Sequence, residues 1–555
     1  MTPDSILGAL TSGAMRVQGQ SLSDADKKAV AEFLGGANLE ADVGLEPPVC
    51  SGAAARFDFN QPPAFEYWGL EPTNTRHVDA DKAGLDASRL GRLQVKWALG
   101  FAGATRVRSQ PALAGGSLII GSQHGTVYSL DRDTGCVRWR YQASAEVRSG
   151  IIVSGWKAGD ATARPRVHFV DLVGNVYGVD AVSGRLLWRL RADVHPSTTL
   201  TAAPVLYKNR LYVPVSSLEE GVAGGKYDCC TFRGSIIAFD SRSGRRLWQT
   251  YMVPKAVLQG TNSTGTKDYG PSGIALWNTP AIDARRGVMY FATGDNYSRP
   301  QTALSDAIIA MDLVTGRIKW SYQAMAGDVW NGACVLPEPN ACPEKSGPDW
   351  DFGAAALLAT AKDGRQYVIA GQKSGSVYAL DPDTGKLVWK NKLGRGGILA
   401  GVYFGMAAHG DAVFVPINDA PDGRQYTEPG RPGLYALNVH TGEYLWKAPN
   451  DESVCKDRGP GCVPGIGAAI SSVGDVVLAG ANDGVLRAYA ADSGRILWQY
   501  DTQVEMKTVA GGMAHGGSMG GSSGPVAYHG MLLVNSGYGF TARTPGNLLL
   551  VFEVR

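Results

Sequence analysis

The chain has 555 residues, a formal net charge of +2 and 19% charged residues, against 72 glycines. That balance gives no electrostatic reason to expect a nucleic acid partner, and no basic run lies along a helical pattern. It suits many short strands joined by tight turns. No stretch approaches the roughly 18 consecutive apolar residues of a membrane span, so a soluble chain with no membrane span is expected; the N-terminus also lacks the basic-then-apolar pattern of a secretory leader.

Residues 1–36 differ in kind from the rest. Val30, Ala31, Phe33 and Leu34 recur at helical spacing, Ser23 with Asp26 three positions on supplies a start, and Gly35-Gly36 supplies a stop. One capped amphipathic helix, with a short one before it, is expected. Residues 37–89 have no clear period and include Pro-rich pieces such as EPPVCSG; they read as a linker that wraps the main domain.

From residue 90 a repeat takes over. YSLDRDTGCVRW ends at Trp139, YGVDAVSGRLLW at Trp188, IAFDSRSGRRLW at Trp248, IAMDLVTGRIKW at Trp320, YALDPDTGKLVW at Trp389, YALNVHTGEYLW at Trp446 and AYAADSGRILW at Trp498. Each is an apolar strand, an Asp/Ser/Thr-Gly turn and a second strand closing on Trp, which is a β-hairpin. The spacing between these tryptophans, 49 to 72 residues, leaves room for four strands and a functional loop in each unit. LGRLQVKWALG around Trp97 and NLLLVFEV at the C-terminus supply strands for one more. The fold read from this is all-β, an eight-bladed β-propeller over residues 90–555 closed by strands from both ends, which removes the open sheet edge. The repeated tryptophans are expected to be core.

The eight cysteines fall as Cys50, Cys136, the adjacent Cys229-Cys230, Cys334 with Cys342, and Cys455 with Cys462. Without CxxC spacing or neighbouring His they read as loop-closing disulfides of an oxidising compartment rather than as a zinc site. His124, His195, His409 and His515 show no metal-ligand grouping.

Function lies in what the repeat does not explain. Between Pro271 and Asn331 stand an isolated Trp277, a TGDN turn (293–296), Asp306 and a GDVWN turn (327–331). The AxDxxTGxxxW repeat, the blade count and these loops resemble the quinoprotein alcohol dehydrogenases, and within them the polyvinyl-alcohol-dehydrogenase-like branch, whose members couple such a propeller to a cytochrome c domain. The resemblance covers residues 90–555, and residues 1–36 are similar to the closing end of a cytochrome c domain. In that comparison Met15 stands at the place of the axial ligand; it is either part of a remnant or a plain apolar contact. No CxxCH occurs, so no haem is expected in this chain.

The resemblance implies pyrroloquinoline quinone (PQQ) and Ca²⁺ on the propeller axis. It places Trp277 as the floor under the quinone, Glu219 and Asp295 as metal ligands, and Thr201, Ser216 and Ser217 as polar cofactor contacts. Lys373 stands at the position of the hydrogen-bond donor to the reactive carbonyl, and Arg148 and Asn418 are weaker matches to cofactor contacts. Carboxylate and carbonyl oxygens are the environment Ca²⁺ prefers.

Asn331 occupies the position expected of the general base, with an Asp at 295 where an Asn is usual, so the base is left open between Asp295, Asp306 and Asp328. Cys229-Cys230 reads as a ring disulfide over the cofactor, or as two cysteines bonded elsewhere or free. The implied activity is oxidation of an alcohol, secondary and bulky or polymeric, with electrons passed to a cytochrome c in the periplasm. The alternatives are a non-catalytic propeller scaffold, and a quinone-binding sensor for which Asn331 argues.

Overall fold

The computed structural model describes residues 6–7, 10–11, 19, 21–35, 44–224, 227–337 and 341–555. Met15 lies outside them. The expected helix is present as Asp24–Gly35, with Ser23 Oγ accepting from the Asp26 N–H at 3.1 Å. Ala31 is buried, against Ile6 and Leu10. Phe33 and Leu34, expected on the same apolar face, are 85% and 63% exposed.

The eight blades are four-stranded antiparallel sheets running from Ala112–Gln142 (blade 1) and Ile152–Arg191 (blade 2) through Val205–Tyr251, Ala281–Gln323, Leu357–Lys392 and Ala407–Pro449 (blades 3 to 6) to Ser471–Asp501 (blade 7). Blade 8 joins the chain ends: Leu93–Gly100 pairs antiparallel with Leu548–Val554. Among the described residues no helix is long and apolar enough to cross a membrane.

The repeat has a mechanical explanation. In each Asp-x-x-Thr/Ser-Gly turn the Asp side chain caps the turn; Asp381 Oδ1 accepts from Asp383 N, Thr384 N and Thr384 Oγ1 at 3.1, 2.8 and 2.8 Å. The turn glycine has positive φ, +69° at Gly385, and lies under the Trp of the preceding blade. That indole donates to a carbonyl at the start of the same turn: Trp320 to Pro382 O (3.0 Å), Trp389 to Val439 O (2.8 Å) and Trp446 to Ala491 O (2.9 Å). The tryptophan therefore fastens one blade to the next. Apolar clusters between neighbouring blades complete the joint, as with Ile369, Val377, Val413, Val415 and Tyr435 between blades 5 and 6.

Residues 44–92 lie along the propeller, and Cys50–Cys136 ties them to blade 1. His77–Val78 adds a parallel fifth strand to blade 7. Their most buried part enters the axis. Trp68 Nε1 donates to Ser522 O (2.7 Å) and Asn74 Nδ2 to Thr279 O (2.9 Å) and Ala356 O (3.2 Å). Arg76, fully buried, donates to Ile470 O, Trp68 O and Gln110 Oε1 and stacks on the Trp68 ring at 4.5 Å. Burial pulls its pKa down to about 9. One segment thus bonds the approaches to blades 1, 4, 5, 7 and 8.

Gly385→Ala should destabilise the propeller by about 1–3 kcal/mol through left-handed strain and a clash, since a Cβ there would sit 2.6 Å from the Trp320 ring. Urea unfolding of the variant beside the wild type measures it, and an unchanged midpoint would remove the inter-blade joint from the account.

Candidate active site

In every blade the inner first strand enters, and the second strand leaves, at one end of the axis. Thr201, Trp277, Asp351, Arg108 and Arg148 precede first strands, while Glu220, Asp295, Lys373 and Asn418 follow second strands. Residues distant in sequence therefore converge.

The centre is Lys373. Its Nζ donates to Asp349 Oδ1 at 2.7 Å and Asp351 Oδ2 at 3.1 Å and lies 5.4 Å from the Trp277 ring centroid. Asp351 Oδ1 accepts the backbone N–H of Asp295 at 2.8 Å, an approach that Gly294 permits, because a Cβ there would lie 2.7 Å from that oxygen. Asp295, Asp349 and Asp351 each bring an oxygen within 4.8 Å of the others. Both oxygens of the buried Asp295 carboxyl lack a hydrogen-bond partner among the described residues. Asp349 adopts φ +61°, strain of a kind that clusters at functional sites.

Burial, then the neighbouring Asp351 and Glu220, push the Asp295 carboxyl well above the usual range. Asp349 is likewise raised, by burial, with Lys373 opposing. Burial works against the Lys373 ammonium, but Asp349 and Asp351 outweigh it and hold its pKa well above normal. Glu220 is pushed up to about 7 by burial and by Asp351.

Trp277 meets Tyr403 and Phe404 edge-on at 5.9 and 6.0 Å, above an axial cluster that includes Trp68, Ala355 and Tyr538. Cys229–Cys230 forms a disulfide, and both residues are buried in one cluster with Phe232, Ala275 and Tyr297, against which Trp277 packs. The other three pairs are Cys50–Cys136, Cys334–Cys342 and Cys455–Cys462.

Tyr403 lies in the fields of both Lys373 and Arg148, and Arg148 belongs to a second charged group. Glu146, held down to about 2 by Arg108 and Arg106 against its burial, accepts from both arginines at 2.6–3.3 Å. Arg148 lies within their field and makes no hydrogen bond among the described residues. Buried Arg108 Nη1 and Arg543 Nη2 have no acceptor there either. Thr201 Oγ1 is buried and unpartnered as well, and Ser216 is buried.

Some expected residues do something else. Glu219 does not join the acidic group: its carboxylate accepts from Thr231 N, Phe232 N and Tyr227 OH. The residue that faces Asp351, Lys373 and Asp328 is its neighbour Glu220. Asn331 is a buried cap, its Oδ1 accepting from Ala333 N (2.9 Å) and its Nδ2 donating to Tyr297 O (3.1 Å). Asp328 accepts from Asp349 N and Trp350 N at 3.1 and 2.7 Å. Asp306, at φ +49°, is buried, and both its oxygens lack a hydrogen-bond partner among the described residues.

Ser217 accepts from Glu219 N at 2.9 Å. Asn418 bonds Leu399 O and Asn482 Nδ2. The residues missed from sequence are Asp349, Asp351 and Glu220. The signal for the first two is PDWDFG, an acidic pair flanking Trp shortly before Lys373, outside any repeat.

An acidic group bound to one lysine, beside an indole and near arginine N–H groups that have no acceptor among the described residues, fits the class of propeller dehydrogenases that work through a bound quinone. Comparison with known proteins agrees. Residues 66–394 match the family described as glucose/ethanol/alcohol dehydrogenase, β-propeller domain, and residues 373–516 match the outer membrane protein assembly factor BamB family.

Polyvinylalcohol dehydrogenase from a Pseudomonas species is 36% identical over 100% of this chain and 89% of its own length. That of Sphingopyxis sp. strain 113P3 is 32% identical over 99% and 88%. The crystal structure of quinohemoprotein alcohol dehydrogenase from Comamonas testosteroni superposes with a TM-score of 0.63 at 18% identity, covering 88% of this chain and 80% of that one, which shows the shared fold. The chain belongs to the PQQ-dependent quinoprotein alcohol dehydrogenases and is closely related to the polyvinyl alcohol dehydrogenases among them.

Carboxyls held above their usual pKa bind protons more tightly in the folded chain than in the unfolded one, so they stabilise at low pH and lose that contribution as pH rises. For Glu220 the loss spans pH 4.5 to about 7. In metal-free protein the melting temperature should fall across this window, and Glu220→Gln should flatten the fall. A wild-type profile flat over that range would contradict the electrostatic picture.

Proposed function

We propose that this chain oxidises a secondary alcohol, bulky or polymeric, using PQQ and Ca²⁺, and passes electrons to a cytochrome c in the periplasm. The observation that carries the reading is the pair of charged groups at the site. Among the described residues, acidic oxygens with no hydrogen-bond partner gather with Lys373 near Trp277, and arginine N–H groups without acceptors gather with Arg148, whose field and that of Lys373 both reach Tyr403.

A planar tricarboxylate quinone with a divalent cation complements that arrangement. The arginine rim (Arg108, Arg148, Arg543) and Thr201 suit carboxylates, Trp277 suits a flat ring, and Asp295 with Glu220 supplies hard oxygen for Ca²⁺. When bound, the quinone supplies the two-electron acceptor and the cation a Lewis acid.

The chain's own part is positional and protonic. Lys373, fixed by two carboxylates, presents a donor beside the Trp277 ring. Asp351, which touches both Lys373 and the Asp295 backbone, takes the substrate hydroxyl proton. Asn331 is not needed as a base, because its amide caps a turn; its argument for a sensor therefore lapses. The secondary or polymeric alcohol rests on likeness to the two polyvinylalcohol dehydrogenases, as the cytochrome acceptor and the compartment rest on family likeness. Four disulfides agree with an oxidising compartment.

Titrating the apoprotein with PQQ, with and without Ca²⁺, and following quinone absorbance and dye reduction on a panel of secondary alcohols tests this. Calcium-dependent turnover is expected. Asp351→Asn should retain quinone binding and lower kcat by about 10²-fold or more. Full activity in that variant would move the base to Asp295 or Asp306, and no quinone binding by the wild type would end the reading.

A further inference from the structure

Glu219 is fully buried, lies next to Glu220, and spends its carboxylate on a loop. Oε1 accepts the Tyr227 hydroxyl at 3.0 Å and the Thr231 N–H at 2.9 Å; Oε2 accepts Thr231 N–H at 3.1 Å and Phe232 N–H at 2.8 Å. Tyr227, Thr231 and Phe232 flank the Cys229–Cys230 disulfide. His195 closes the arrangement. Its Nδ1 accepts the Ser197 N–H at 3.2 Å, which leaves the proton on Nε2, facing Thr231 Oγ1 at 3.1 Å and Glu219 Oε1 at 3.4 Å.

Glu219 and Glu220 share one short helical turn, Glu219–Val222, and in so short an element the backbone cannot turn one side chain without moving the other. On the far side, Phe232 and both cysteines belong to the cluster that Trp277 packs against. The carboxylate of Glu219 is therefore the joint between the loop bearing the disulfide and the turn bearing Glu220.

We infer that Glu219 is a positioning residue: with His195 and Tyr227 it clamps the Cys229–Cys230 loop to the turn that aims Glu220 into the acidic group, and so sets cation affinity without ligating the cation. The inference rests on the PQQ and cation reading of the site given above. Groups that orient metal ligands typically change affinity by about 10–100-fold when removed. The charged group that faces Glu219 is His195; among the described residues Glu220, Asp295, Asp351 and Lys373 make no bond to it.

The experiment compares the wild type with Glu219→Gln, His195→Gln, Tyr227→Phe and Glu220→Gln, each checked for folding by circular dichroism. Two readouts are taken: the Ca²⁺ half-saturation of PQQ absorbance, and amide hydrogen exchange over residues 227–232 without PQQ or Ca²⁺. Glu219→Gln should raise the half-saturation about tenfold or more and speed exchange at Thr231 and Phe232. His195→Gln and Tyr227→Phe should move both the same way by less, and Glu220→Gln should abolish the calcium response while leaving exchange at Thr231 slow.

If Glu219→Gln abolishes the response while His195→Gln and Tyr227→Phe leave it unchanged, Glu219 is a ligand and the inference is overturned. Unchanged exchange in Glu219→Gln overturns the clamp whatever the wild type binds. A wild type that binds neither PQQ nor Ca²⁺, with exchange accelerated as described, fails the functional reading and leaves the clamp standing.

Discussion

The site depends on one lysine among too many carboxylates. Asp295, Asp349, Asp351, Glu220 and Asp328 face one another in a buried space where Lys373 is the cation the acidic residues share. Two of these bond the ammonium directly, and the remainder can stay charged only with more positive charge nearby. Without a cation the group lowers its energy by keeping protons. In the proposed reading a divalent ion takes the place of those protons, and affinity would rise with pH because protons must leave first.

Such a group holds its geometry only on a stiff frame, and the repeat provides it. Each turn aspartate shapes a hairpin, each turn glycine receives the tryptophan of the preceding blade, and each indole N–H that finds a carbonyl fixes the angle between two sheets. The segment around Trp68 and Arg76 then bonds several blades from the axis. Its hydrogen bond from Asn74 reaches Thr279, two residues beyond Trp277, so the Trp277 loop and this segment are mechanically one. Blade 8 closes the ring with both chain ends, which protects the edges.

The fold was legible because its signal is periodic: seven Trp-terminated hairpins cannot be confused with another architecture. Trp277, Asp295, Lys373 and Cys229-Cys230 stand out in the sequence because each interrupts the repeat in a way that packing does not require, and the structure brings them near one another. What was not legible shares a physical cause. Glu219 and Glu220 are adjacent in a single helical turn, where successive side chains point about 100° apart, and sequence does not show which of the two carboxylates meets backbone N–H groups. Asn331 and Asp351 look alike in sequence for a similar reason. Both follow or flank a Trp after an acidic residue, and only the cap on Ala333 N and the ion pair with Lys373 tell them apart. Phe33 and Leu34 show the same limit: helical spacing predicts a face, not what covers it.

Asp328 makes the last distinction. It is as buried as Asp295, yet its oxygens are taken by the N–H groups of Asp349 and Trp350. Those two hydrogen bonds fix the start of the DWD segment, and they leave Asp349 with φ +61° and Asp351 aimed at Lys373. A carboxylate that accepts two backbone N–H groups has little capacity left for a substrate proton or a cation. The same argument applies to Glu219 and, through its amide, to Asn331. In this site the groups that hold the backbone and the groups left for chemistry are chemically alike, and what divides them is whether backbone N–H groups take both of their oxygens. Among the described residues Asp295 has neither oxygen taken, which suits the proposed cation, while Asp351 gives one oxygen to a backbone N–H and the other to the Lys373 ammonium, which suits the proposed base.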